Sequence, residues 1–240
     1  MDTLPPAWQE EQGMNETVDP ARYIVGLGHP RCGTGFAANL LNAGGLDIGH
    51  ERRGADGMVS WMAVTGRRRV PWGEALGPLD AYSRRLCIVR SPVGAIPSIV
   101  AENGKKRSLR FRARILAAQG EGQGEGQAAG GLPETVAEAA AAPVENAVRS
   151  YTGWYELILA RAPALVFRVD RPEDDPALAG FAGVPIDRDA GIERNSRPHL
   201  KRSGFGAEDL DRLPCDLRDR FLALAERLGY PDVAAELRGD

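Results

Sequence analysis

The apolar run Tyr23-Ile24-Val25-Gly26-Leu27 passes without a break into Gly28-His29-Pro30-Arg31-Cys32-Gly33-Thr34-Gly35. Phe36, Leu40 and Leu41 follow at helical spacing, and the pattern stops at Gly44-Gly45. A short run that is apolar at every position reads as a strand buried on both faces. A Gly-rich turn that ends this strand and opens a helix makes a strand–loop–helix unit, and the helix carries the chain back to start a parallel neighbour. Leu86-Cys87-Ile88-Val89 and Leu165-Val166-Phe167-Arg168-Val169 read as two more buried strands, and Leu46–Gly49 as a short one. Helical pattern covers Met58–Thr65, a stretch ending near Asn103-Gly104, Val144–Arg161 and Leu217–Leu228. Strands alternating with helices specify an α/β fold around a central parallel sheet.

The chain has 240 residues and no internal repeat, which suits one domain with a substantial core. Residues 1–21 are polar, carry three prolines, and read as a flexible arm ahead of a single domain over 22–240. The stretch QGEGQGEGQAAGG, residues 119–131, has no apolar face and reads as a flexible insertion. No run approaches the roughly 20 apolar residues of a membrane helix. The first nineteen residues hold five acidic side chains and no basic one, unlike a secretory signal. Cys32, Cys87 and Cys215 are too few and too scattered for a disulfide framework or a zinc site. A reduced, cytoplasmic protein is the expectation, with no membrane partner. The formal charge of -3 argues against a nucleic-acid partner. Of the 30 basic residues, 27 are Arg and three are Lys, and Arg is the side chain suited to forked contacts with phosphate or sulfate.

The loop at Gly28–Gly35 sits where a phosphate loop is expected, with curled backbone amides and a helix N-terminus facing the anion. An ordinary Gly-rich turn is the plainer alternative. A nucleoside-triphosphatase loop follows its second glycine with Lys and then Ser or Thr. Gly28 and Gly33 have that spacing, but Thr34 stands in place of Lys and Gly35 in place of the magnesium ligand. Arg31 supplies a positive charge inside the loop instead. The site therefore suits a phosphate-type group without an obligatory metal ion.

A second anion site is suggested by Val89-Arg90-Ser91-Pro92-Val93-Gly94-Ala95-Ile96-Pro97-Ser98. Arg90 lies at a strand C-terminus, where open α/β sheets bind ligands, and Ser98 follows eight residues later. Pro97 should kink the next helix or delay its start. Together the two segments resemble the sulfotransferase family over roughly Tyr23 to Gly104. The resemblance implies a three-layer, P-loop-like fold. It implies that Pro30, Arg31, Cys32, Gly33, Thr34 and Gly35 hold the 5′-phosphosulfate of 3′-phosphoadenosine-5′-phosphosulfate. It implies that Arg90 and Ser98 hold the 3′-phosphate, and that the product nucleotide is 3′,5′-adenosine bisphosphate. Gly35 and Cys32 depart from the hydroxyl residues common at those places. The C-terminal basic motif of the family has its echo in Lys201-Arg202-Ser203-Gly204, with Arg194, Arg197 and His199 nearby.

Transfer to an acceptor hydroxyl, on a saccharide or a small alcohol, also needs a base. Glu51 stands where the resemblance places one, seventeen positions after Thr34, and His50 beside it has the more suitable free pKa. In an extended strand these neighbours point to opposite sides, so only one faces the cleft. A surface salt bridge to Arg52 or Arg53 is the structural alternative for Glu51. Residues 105–114, KKRSLRFRAR, read either as a solvated face or as an electropositive wall. Trp61 and Trp72 are candidates for stacking on the acceptor or for core packing. The competing readings are a P-loop nucleotide kinase or phosphotransferase, and a non-catalytic anion-binding protein of the same fold.

Overall fold

The computed structural model describes residues 23–65, 79–103, 112–113, 141–190 and 204–239. The arm at 1–21, the insertion at 119–131 and most of the basic run lie outside them, as do Trp72, Arg194, Arg197, His199 and Arg202. The sheet has five strands, β1 Ile24–Gly28, β2 Ile48–His50, β3 Gly57–Val59, β4 Arg84–Val89 and β5 Leu165–Arg168. Every pairing is parallel, and the order is β2-β3-β1-β4-β5. The helices are α1 Thr34–Ala43, α2 Pro92–Asn103, α3 Pro143–Leu159, α4 Asp175–Ala182, α5 Ala207–Asp211, α6 Cys215–Arg227 and α7 Pro231–Arg238. Among the described residues no helix is long and apolar enough to cross a membrane.

The two-residue period of the strands divides the core between the faces of the sheet. Val25 and Leu27 of β1 join Met58, Cys87 and Val89 on one face, under Tyr151, Trp154 and Tyr155 of α3 and Phe221 of α6. Ile24 joins Val59, Leu86, Ile88 and Phe167 on the other, under Leu40 and Leu41 of α1 and Leu178 of α4. The chain leaves β1 through α1 over this second face and continues to β2. It leaves β4 through α2 and α3 over the first face and continues to β5 at the opposite edge. Neighbouring strands whose connections depart in opposite directions form a topological switch point, and here these are β1 and β4.

Two local expectations are corrected. Met58–Thr65 is not a helix: Met58 and Val59 belong to β3, and only Ala63–Thr65 makes a 3-10 turn. The run is short and apolar, and periodicity alone does not separate a buried strand from a buried helix at this length. β2 and β3 pair in parallel although only six residues, 51–56, join them, far fewer than a usual crossover. The return passes so close to the strands that a Cβ at Gly49 would lie 2.2 Å from the Arg52 carbonyl oxygen. One at Gly57, which has φ +142°, would lie 2.0 Å from that of Ile24. The second correction is that Pro97 does not delay the helix start. α2 starts at Pro92, where a missing N–H is no loss, and continues through Pro97 to Asn103.

Candidate functional site

The register aligns Gly28 of β1 with Ile88 of β4, so the loop after β1 and Arg90 after β4 emerge side by side at the carboxyl edge of the sheet. His50 and Glu51 leave the same edge from β2, and Ser60 from β3.

The loop backbone is shaped for an anion. Arg31 has φ +76° and Gly33 φ +90°, whereas Cys32 and Thr34 keep negative φ. Alternating hand at successive residues curls backbone N–H groups into a concave nest. The first helical bond of α1 is donated by the Ala37 N–H to the Gly33 carbonyl, and Gly33 offers no side-chain cap. The N–H groups of Thr34, Gly35 and Phe36 therefore have no protein acceptor among the described residues, and the positive end of the helix dipole adds to them. A side chain at Gly33 would be strained by its φ and would press its Cβ to 2.7 Å from Val169.

Side chains complete the cradle. Arg31 donates through Nε to Ser98 Oγ at 3.3 Å, which joins the two segments read separately in the sequence. Ser98 is buried, and its hydroxyl faces the Arg31 Nε. The Arg90 guanidinium lies over Gly94, whose absent Cβ would fall 3.0 Å from Nε, and no hydrogen bond or ion pair of that guanidinium is seen among the described residues. Cys32 turns its thiol into the core, where burial pushes it up to about 12, and its N–H bonds the His29 carbonyl. Pro30, without an N–H, is buried.

His50 and Glu51 do not point apart. Glu51 has φ +57°, which ends the strand geometry at that residue and breaks the alternation expected of extended chain. The result is a polar chain. Thr34 Oγ1 lies 3.2 Å from His50 Nε2, and Nε2 lies 3.8 Å from Glu51 Oε1. Glu51 accepts from Ser60 Oγ at 2.7 Å and from the Trp61 N–H at 3.2 Å. Burial raises its carboxyl to about 7, against the lowering by these two donors. Burial also lowers His50 below its ordinary value. The imidazole is 45% exposed and the carboxylate 18%, so His50 is the member of the pair open to a substrate. The ring sits over Gly35, where a Cβ would already touch it at 3.5 Å.

Trp61 is partly buried with its ring 5.6 Å from that of Trp154, so it packs on the core. Ser60 gave no signal in the sequence because β3 read as helix. Asp170, just past β5, also escaped notice. Its carboxylate takes the Ser91 N–H and the Tyr230 hydroxyl, and so braces the turn that carries Arg90.

No family model, no curated protein and no solved structure matches this chain.

Proposed function

We propose that this protein is a sulfotransferase that moves a sulfuryl group from 3′-phosphoadenosine-5′-phosphosulfate to the hydroxyl of a small-molecule or saccharide acceptor, in a P-loop-like α/β fold. One observation carries the reading. Two independent anion-receiving groups, the nest at the start of α1 and the Arg90 guanidinium, stand side by side at the switch point between β1 and β4. A donor with an anion at each end of its nucleotide matches two such groups. Thr34 and Gly35 stand in the places of the Lys and hydroxyl of a magnesium-nucleotide loop.

The bound nucleotide would supply the sulfuryl group and a phosphate leaving group. Arg31 and the amides of Thr34, Gly35 and Phe36 hold the phosphosulfate end and stabilise the charge that develops there. Arg90 takes the 3′-phosphate. Ser98 positions Arg31 through the hydrogen bond to Nε. His50, neutral near pH 7 and the more exposed of the pair, accepts the proton of the acceptor hydroxyl. Thr34 Oγ1, 3.2 Å from Nε2, orients the ring, and Glu51 lies beside it at 3.8 Å, where it favours the imidazolium formed when the proton is taken. This assigns the base to His50 rather than to the residue that the family resemblance favours.

Calorimetric titration with 3′,5′-adenosine bisphosphate and, separately, with ATP plus magnesium tests the cofactor class. Tight binding of the bisphosphate alone is expected, and binding of ATP–magnesium alone would turn the reading towards a kinase. His50→Gln should lower transfer by about 10²–10⁴ with bisphosphate affinity kept, the range of general-base catalysis.

A further inference from the structure

Behind the loop lies a chain of three polar side chains that the anion site does not use: Arg112, Ser150 and His29, all fully buried. Arg112 donates through Nε to Ser150 Oγ at 3.0 Å and also bonds Asn103 Oδ1. Ser150 Oγ lies 2.9 Å from His29 Nε2, and His29 Nδ1 lies 2.6 Å from the Pro30 carbonyl oxygen. The directions of these bonds follow from chemistry. A carbonyl only accepts, so Nδ1 carries a proton, and in the neutral ring that burial and the nearby Arg112 favour, Nε2 accepts. The Ser150 hydroxyl then donates to Nε2 and receives the Arg112 N–H on its lone pair. Trp154 meets the imidazole edge-on, with centroids 6.2 Å apart, and closes the other side.

The end of this chain is the Pro30–Arg31 peptide. In a trans peptide the N–H points opposite to the C=O, so drawing the Pro30 carbonyl towards His29 also sets the direction of the Arg31 N–H. Arg31 is the non-glycine residue of the loop at positive φ, a conformation that persists only where surroundings hold it. We propose that Arg112, Ser150 and His29 form a positioning relay. It fixes the Pro30–Arg31 peptide and thereby keeps the loop in its concave, anion-receiving form. The proposal rests on the reading of this loop as an anion site. Arg112 belongs to the basic run 105–114, so that residue is neither on a solvated face nor on an electropositive wall. Its charge is spent inside the protein.

The test uses two isosteres in the full chain. His29→Asn keeps a donor near Nδ1 for the Pro30 carbonyl, and His29→Gln keeps only a partner for Ser150. His29→Asn, which loses the Ser150 link but keeps the one to Pro30, is expected to lose less affinity for 3′,5′-adenosine bisphosphate than His29→Gln. His29→Gln should lose about tenfold, the worth of one hydrogen bond, while melting within a few degrees of His29→Asn. Ring ¹⁵N shifts of the native protein should report the Nδ1–H tautomer. Amide exchange at Cys32 and Ala37, whose N–H groups bond the His29 and Gly33 carbonyls, should be faster in His29→Gln than in His29→Asn. An Nε2–H tautomer in the native protein overturns the relay, and this readout needs no variant to fold. Equal loop exchange and equal affinity in the two variants overturn it as well. If the native protein binds no bisphosphate, the sulfotransferase reading fails. The tautomer and the loop exchange then still decide the relay.

Discussion

Arg31 combines a cation, a left-handed backbone and a place just before a helix N-terminus, and under the proposed function these pull stability and binding in opposite directions. The left-handed conformation costs an L-residue roughly 1–2 kcal/mol, and glycine escapes that cost. Arg31→Gly should therefore fold with undiminished stability in thermal melts. It should also lose at least about tenfold in affinity for 3′,5′-adenosine bisphosphate, because a charge-assisted hydrogen bond is removed. Undiminished affinity in this variant would place the anion elsewhere. Glu51 gives a pH signature. Its folded carboxyl is raised to about 7 by burial, above the ordinary value of 4.5. The folded state therefore binds the proton more tightly than the unfolded chain. The stability linked to this proton is fully present below about pH 4.5 and is lost as pH rises through about 7. The full shift is worth about 3 kcal/mol. Denaturant titrations should show the native protein losing up to that amount relative to Glu51→Gln across this window. Parallel curves for the two proteins would contradict the buried setting of the carboxyl.

At the scale of elements, the site depends on how closely a turn and a helix start can approach. α2 begins at Pro92, and its third residue, Gly94, lies under the Arg90 guanidinium. Gly94→Ala would set a methyl 3.0 Å from Nε, where the flexible arginine must move. Helix propensity favours Ala by about 1 kcal/mol, so the variant should melt no lower than the native protein. Its affinity for 3′,5′-adenosine bisphosphate should fall while that for adenosine 5′-phosphosulfate, which lacks the 3′-phosphate, stays the same. Equal losses for both ligands would separate Arg90 from the 3′-phosphate. Much of the element level was legible in sequence. β1 and the Leu86–Val89 and Leu165–Phe167 parts of β4 and β5 are continuous apolar runs, and the loop after β1 is marked by its glycines. β3 was not legible, because three residues leave no period to read. The joint direction of His50 and Glu51 was hidden for another reason. It follows from a positive φ at Glu51, which a non-glycine residue adopts only where tertiary contacts impose it.

For the whole molecule, a formal charge of -3 coexists with two arginines, Arg31 and Arg90, side by side at one edge of the sheet. Ligand binding to that edge should stabilise the fold by mass action. At one hundred times its dissociation constant, 3′,5′-adenosine bisphosphate should add about 2.7 kcal/mol, a rise in Tm of roughly 5–10 °C for a chain of this size. Because Thr34 and Gly35 stand in the places of the usual lysine and magnesium ligand, the shift should be unchanged by EDTA. Loss of the shift in EDTA would bring a metal ion into the site. The α/β class, the Gly-rich loop and the candidacy of Arg31, Arg90 and His50 were decided by sequence alone. Apolar periodicity and glycine placement are local properties, and they survive without knowledge of partners. Only the tertiary structure decided that Ser98 meets Arg31, that His50 stands in front of Glu51, and that Arg112 is buried behind the loop. Each of these is a contact between residues distant along the chain or a backbone conformation held by such contacts. The pairing of β1 with β4 and the packing of α3 bring those residues together, and no local pattern encodes that meeting.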